Sequence, residues 1–180
     1  MTRLFAATVV AVLVAPTIGS AETVESPIYK SWARTKVGTV VTVKSVTRMK
    51  GDTIESSIRY TLVALSPEMA TLEAVASSGG VESSPRKLEY RRDFPLFPGL
   101  KKEDIGKPDG ATENGREPLT MAGQVYPTQW YVTKGKTEAG ESIARTWTSE
   151  DVPGMLLRSV IEVPAAGKVT TIEVVEIKRP

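Results

Sequence analysis

The sequence TIESSIRYTLVAL, residues 53–65, decides the fold class because apolar and polar side chains alternate along it. One face of this segment carries Ile54, Ser56, Ile58, Tyr60 and Leu62, and the other carries Glu55, Ser57, Arg59 and Thr61. A period of two is typical of a β-strand with one buried face and one face in water. The segment therefore predicts a strand in a sheet that buries only one of its sides.

Segments of the same kind recur along the chain, each separated from the next by turn residues or a loop. They are residues 39–48, 69–77, 81–92, 119–126, 128–134, 141–148, 155–163 and 169–178. Pro85 interrupts one of them, which favours an edge position or a bulge for that strand. Short turns join antiparallel strands, because parallel neighbours need long crossovers. We therefore predict a mainly-β domain, a single strongly curved antiparallel sheet or partly closed barrel of about eight or nine strands, with a two-sheet sandwich as the alternative.

A short N-terminal helix is predicted ahead of the first strand, over residues 28–36. Ser26 is suited to the N-cap, and Pro27 is suited to the first helical position, where a missing N–H costs nothing. A sheet with one apolar face must curl on itself or be covered. We expect this helix to be the cover.

Residues 1–21, MTRLFAATVVAVLVAPTIGSA, have the organisation of a secretory signal peptide. Arg3 provides the positive charge, the apolar stretch over residues 4–15 is too short to span a bilayer as a helix, and small residues follow it. We predict cleavage after Ala21, which leaves residues 22–180 as a single β-rich domain in the periplasm of a bacterium or outside the cell. Without cleavage, the same segment would be an N-terminal membrane anchor.

Two residue types are missing from the chain, and their absence narrows its chemistry. There is no cysteine and no histidine. Disulfides, a lipid-modified cysteine, a Ser-His-Asp triad and a zinc site of the ordinary kind are therefore excluded. The net charge of +2 is close to balance, which argues against a nucleic-acid partner. We predict no catalytic residue, no metal, no cofactor and no transmembrane helix after signal cleavage, and we expect a monomer.

Residues 93–118 depart from the β pattern and predict a long Pro/Gly-rich loop. Four prolines and four glycines fall within this segment. Its apolar beginning contains Phe94 and Phe97, which basic residues flank. These phenylalanines either belong to a flap over a cavity, or fold back and close the open end of the sheet. An empty apolar volume on the order of several hundred Å³ beneath the loop would favour a ligand-binding module, and a packed interior would favour an interaction domain.

Two tryptophans lie on segments that flank one predicted hairpin, Trp130 before its turn and Trp147 after it. Aromatic residues on neighbouring antiparallel strands often pair across them. We therefore expect the two rings to meet. Such a pair serves either as part of the core or as an aromatic surface for a ligand.

The sequence WTSEDVPG, residues 147–154, is the most motif-like stretch of the chain. Ser149 is suited to cap a turn, and the Pro-Gly that follows is suited to end it before the next strand. The alternative interpretation is a carboxylate-dependent hydrolase that uses Glu150 with Asp151 or with Glu141. Adjacent side chains point in different directions, which argues against cooperation between the first two.

A family resemblance rests on residues 145–157, together with MAGQ at 121–124 and QWY at 129–131. In these segments the chain resembles small uncharacterised secreted bacterial proteins, in which a Trp-Thr-Ser strand end precedes Val-Pro-Gly. Those proteins are distantly similar to periplasmic lipoprotein carriers of the LolA/LolB type. The resemblance is clear over about residues 121–180. It implies a curved antiparallel sheet and a non-enzymatic role with a hydrophobic ligand, and it transfers no functional residue.

The sequence is also compatible with two functions other than hydrolysis. The first is an exported non-catalytic domain that binds an apolar or lipid-like ligand on the concave face of its sheet. Its expected ligand-binding residues are Phe94, Phe97, Trp130 and Trp147. The second is a structural or interaction domain of an envelope assembly, with an envelope protein as its partner and no small-molecule site.

Overall fold

The computed structural model describes residues 22–96, 99, 101–121 and 123–180. The predicted signal segment, residues 1–21, and Phe97 lie outside the described residues. The strands are β1 (Thr23–Glu25), β2 (Val40–Met49), β3 (Asp52–Leu65), β4 (Met69–Ser78), β5 (Val81–Glu82), β6 (Arg86–Arg91), β7 (Asp93–Pro95), β8 (Ala111–Met121), β9 (Gln124–Thr137), β10 (Gly140–Thr148), β11 (Leu156–Val163) and β12 (Lys168–Lys178). The helix α1 spans Pro27–Ala33, and single 3-10 turns lie at Lys102–Asp104 and Pro164–Ala166.

One antiparallel sheet contains ten of these strands. Its order is β5-β4-β3-β2-β12-β11-β10-β9-β8, with β6 also paired to β4. Two meanders meet at its centre, where β2 pairs with β12. Within the described residues, the strands at the two ends do not pair with each other, so the sheet stays open. The predicted single antiparallel sheet is confirmed, as an open sheet rather than a barrel or a sandwich.

The register separates two faces of the sheet. Along one row, Ser45, Ile172, Ser159, Thr146 and Tyr131 stand opposite one another in successive strands. Along the adjacent row the same is true of Lys44, Glu173, Arg158, Trp147 and Trp130. The first row shares its face with Val43, and we call this the inner face because the core packs there. The second row lies on the outer face.

The alternation in residues 53–65 is confirmed by this register. Ile58 and Tyr60 stand opposite Val43 and Val41, and so lie on the inner face. Leu62 follows on the same face and is fully buried. Arg59, which alternates with them, stands opposite Thr42 on the outer face.

Helix α1 covers part of the inner face, as predicted. Ser26 caps it by accepting a hydrogen bond from the backbone N–H of Tyr29 at 3.3 Å, and Pro27 is its first residue. Trp32 is 2% exposed and belongs to the same core cluster as Leu62. The Tyr29 hydroxyl donates to the Ser66 carbonyl at 2.9 Å, which fastens the helix to the turn after β3.

The segment 93–118, predicted as a loop, is a loop over only part of its length. It begins with β7, and β8 starts at Ala111. In the described chain β8 pairs only with β9, so it is an edge strand whose many exposed polar residues conceal the alternation. Pro118 lies in this edge strand, opposite Pro127. Proline is tolerated in an edge strand because one side of the strand needs no ladder hydrogen bond.

Candidate functional site

An apolar groove lies on the inner face, between α1, the segment 149–155 and the strands at the centre of the sheet. Its volume is about 320 Å³, which falls at the lower end of the range for small-molecule pockets. The residues that line it are Ile28, Trp32, Val41, Val43, Ile58, Tyr60, Leu72, Tyr90, Pro153, Gly154, Leu156, Ile172 and Val174. The wall of the groove is therefore predominantly apolar. Its polar side-chain groups are two tyrosine hydroxyls and the indole N–H of Trp32.

The two hydroxyls belong to Tyr60 and Tyr90, on β3 and β6. Burial raises the pKa of the Tyr60 phenol, and the proximity of Tyr90 raises it further. The Tyr60 hydroxyl therefore stays protonated at neutral pH and adds no charge to the groove. An apolar compartment with neutral edges suits a hydrocarbon ligand, because no charge has to be desolvated when the ligand enters.

The segment 149–155 is held against α1 on one side of the groove. The Gly154 N–H donates to Ser31 Oγ at 2.9 Å, and Val152 is fully buried. The Arg34 guanidinium donates to the Glu150 carbonyl and carboxylate, each at 3.1 Å. The motif-like sequence at 147–154 thus forms the end of β10 and a turn that packs on the helix. The hydrogen bonds to Ser31 and Arg34 account for the conformation of this turn.

A second cavity, of about 370 Å³, lies next to the groove. Its lining mixes polar and apolar surface and is more polar than that of the groove, and we call it the polar cavity. Its lining residues are Pro27, Ile105, Gly106, Arg116, Pro127, Thr128, Gln129, Tyr131, Thr148, Ser149, Glu150, Asp151 and Met155. Part of the predicted 93–118 loop therefore borders a polar space. No described residue between 93 and 118 lines the apolar groove, which is covered by α1 and the segment 149–155 instead.

Of the four residues predicted to bind ligand, the structure describes three. Phe94 is half-buried in β7, opposite Val24 of β1. Trp130 and Trp147 stand directly opposite each other in β9 and β10, so the predicted cross-strand pair is confirmed. The pair lies on the outer face, and neither ring lines the groove. A ligand-binding role for any of the four residues stays a prediction.

The tryptophan pair is engaged by charged neighbours on the outer face. The Arg145 guanidinium lies 4.3 Å from the centre of the Trp130 ring and 4.8 Å from that of Trp147. Glu117 accepts from Arg145 at 3.3 Å and from the indole N–H of Trp147. A Cβ at Gly115 would lie 2.6 Å from the Trp130 ring, so only glycine fits beneath it. These contacts describe a cation–π cluster that packs the end of the sheet.

The carboxylates considered for hydrolysis are occupied or distant from one another. Glu150 forms ion pairs with Lys30 at 3.7 Å and Arg34 at 3.1 Å, and Asp151 lies 4.0 Å from Arg34. Glu141 lies at the other end of β10, opposite Lys136. Within the described residues, no three acidic side chains converge as a metal site would require. No helix of the described chain has the length and hydropathy to cross a membrane.

The sequence does not identify most of the groove residues as accessible, although the alternation of apolar and polar residues marks their face of the sheet. It places Ile58 and Tyr60 on the apolar face of a strand, but does not indicate that this face stays partly uncovered. Val43 and Ile172 follow the same alternation in β2 and β12. Which apolar positions remain accessible depends on where α1 and the segment 149–155 dock, and that is a tertiary contact.

The fold has counterparts among solved structures. A protein of Bacteroides fragilis, described as exported and YmcC-like in fold, matches with a TM-score of 0.51 at 9% identity, over 81% of this chain and 97% of that chain. A lipoprotein of Parabacteroides distasonis matches with a TM-score of 0.51 at 11% identity, over 79% and 96%. The Mycobacterium tuberculosis lipoprotein LppX matches with a TM-score of 0.41 at 15% identity, over 86% and 94%. No protein-family model and no curated protein sequence matches the chain.

The first two of these structures confirm the predicted resemblance at the level of the fold. Each of these structures is matched over nearly its whole length, and this chain over about four fifths of its own, so the likeness is not confined to a small fragment. At identities this low, the likeness concerns architecture alone.

Proposed function

We propose that this protein is an exported, non-catalytic domain that binds an apolar or lipid-like ligand in the groove on its inner face. The observation that carries the proposal is the groove itself. It is an unfilled volume of about 320 Å³ with a predominantly apolar wall, and it lies beside the hydrophobic core cluster. Apolar surface left accessible in this way gains free energy when a hydrocarbon displaces its water.

We propose a location outside the cytoplasm on two grounds. Residues 1–21 have the organisation of a secretory signal peptide. Two proteins with the same fold are described as an exported protein and a lipoprotein. A ligand-binding domain outside the cytoplasm needs no disulfide here, because the core of a domain of this size is sufficient to stabilise it.

Binding is tested with cis-parinaric acid, a fatty acid whose fluorescence rises in an apolar environment. We expect the purified protein to bind it saturably, and Ile58→Asp to weaken binding at least tenfold, because a carboxylate in the groove wall must be desolvated by the ligand. Ile58 is 37% exposed, so the substitution should leave the fold intact.

Ile143→Asp is the matched control. Ile143 is also an isoleucine in a strand, is 40% exposed, and lies on the outer face away from the groove. Equal loss of binding in both variants, or no binding by the unmodified protein, would contradict the proposal.

The interaction domain is the second candidate, and the open ends of the sheet favour it. In the described chain, β8 at one end pairs on one side only, which leaves backbone groups free for strand addition by a partner. Cross-linking in intact cells that captures one defined envelope protein through β8, combined with an absence of probe binding, would favour this function over ligand binding.

A further inference from the structure

The polar cavity and the apolar groove are separated by a thin partition. Pro27 and Met155 line the polar cavity, and the residues that follow them in the chain, Ile28 and Leu156, line the groove. The two compartments therefore lie on either side of the same backbone segments. A molecule that occupied both compartments would have to pass this partition.

The polar cavity presents donors from adjacent strands at the end of the inner face. Arg116 of β8 stands opposite Gln129 of β9, and Tyr131 follows two residues later on the same face. Tyr131 is 4% exposed, and burial raises the pKa of its phenol, although the charges of Lys107 and Arg116 oppose that shift. Its hydroxyl is therefore a donor at neutral pH. A guanidinium, a phenol and an amide together suit a ligand group rich in acceptors.

Three charged side chains line this cavity, those of Arg116, Glu150 and Asp151. Its two carboxylates, Glu150 and Asp151, both lie within ion-pair distance of Arg34, and Glu150 also pairs with Lys30. Arg116 forms no ion pair with any residue that the structure describes. Arg116 is exposed, so the cavity offers one solvent-accessible guanidinium outside any described ion pair, and this group binds carboxylates and phosphates through charge-assisted hydrogen bonds.

We propose that the ligand is an amphiphile whose hydrocarbon tail occupies the groove and whose anionic head, a carboxylate or a phosphate, binds at Arg116 in the polar cavity. This inference rests on the proposed function and adds the chemical class of the ligand. Gln129 and Tyr131 orient the head beside the guanidinium. The partition at Met155–Leu156 sets where the head ends and the tail begins.

The experiment compares cis-parinaric acid with its methyl ester, which has the same tail and no charge. We expect the unmodified protein to bind the acid about tenfold more tightly than the ester, as a charge-assisted hydrogen bond predicts. Arg116→Gln should lower the affinity for the acid to that for the ester and leave the ester unchanged. Arg48→Gln removes an equal charge from an exposed position on the outer face, and should change neither affinity.

The outcomes separate this inference from the function on which it rests. Equal binding of acid and ester, unaffected by Arg116→Gln, overturns the anionic head and leaves apolar binding standing. Failure to bind either probe overturns both. Competition then identifies the head group. If lysophosphatidic acid displaces the probe at a lower concentration than oleate does, the head is a phosphate. If oleate displaces it at the lower concentration, the head is a carboxylate.

Discussion

Met155 is held in an unusual backbone conformation at the partition between the two compartments. Its φ is 68°, in the left-handed region that favours glycine. Its N–H donates to the Val152 carbonyl and its carbonyl accepts from the Ser149 N–H, each at 2.8 Å. These two hydrogen bonds close the turn and hold the residue in place. The strain is therefore local and is offset by the turn that it completes.

We predict that Met155→Gly is more stable than Met155→Ala by about 0.5–1 kcal/mol. Both variants lose the side chain beyond Cβ, so the difference in their unfolding free energies reports mainly the cost of the left-handed backbone for alanine. The greater freedom of glycine in the unfolded chain makes that difference smaller. Urea denaturation of the two variants measures it. An alanine variant as stable as the glycine variant would show that the backbone relaxes at this position.

At the scale of elements, the decisive contact joins α1 to the segment 149–155. A partly buried hydrogen bond connects Ser31 to Gly154, and exposed ion pairs connect Lys30 and Arg34 to Glu150. Buried hydrogen bonds leave an unsatisfied group when one partner is removed, whereas exposed ion pairs contribute little. The hydrogen bond should therefore dominate the docking of the segment.

We predict that Ser31→Ala lowers the free energy of unfolding by about 1–3 kcal/mol, because the partly buried Gly154 N–H loses its acceptor. Arg34→Ala should lower it by less than about 1 kcal/mol. Thermal denaturation of both variants provides the comparison. A larger effect at Arg34 than at Ser31 would mean that the ion pairs hold the two elements together.

The elements also show what could be predicted from the sequence. The alternation in residues 53–65 is a local signal, and it placed Ile58 and Tyr60 on the correct face. The N-cap at Ser26 is equally local, since it depends on neighbours within one turn. β8 was missed because an edge strand exposes polar residues on both faces, so that residues 111–118 lack an apolar period. The docking of Gly154 on Ser31 joins residues distant in sequence, and no local pattern encodes it.

For the molecule as a whole, the structure is compatible with loss of the predicted signal segment. β1 begins at Thr23 and pairs with β7, and the Glu22 carboxylate lies 2.5 Å from the Lys102 ammonium. Cleavage after Ala21 would keep both contacts. The domain should therefore fold in the same way with or without the signal.

We predict that N-terminal sequencing of the exported protein gives Glu22 as its first residue. Ala21→Asp should block cleavage and leave the protein attached to the membrane, because the peptidase requires a small residue immediately before the cut. Ser20→Asp changes the neighbouring position, where other residues are tolerated, and should be processed normally. An intact Met1 in the unmodified protein would show instead that the segment is retained as an anchor.

The pairing of β2 with β12 governs the order in which this protein can assemble. Val43 stands opposite Val174, so the central seam of the sheet joins an early strand to the last one. Contacts between such distant residues form late, since a long loop must close first. A chain that emerges N-terminus first from a translocation channel can form the β2–β4 meander early. The free edge of β2 has no partner until β12 has crossed, and an unpaired edge of this kind is open to pairing with another chain.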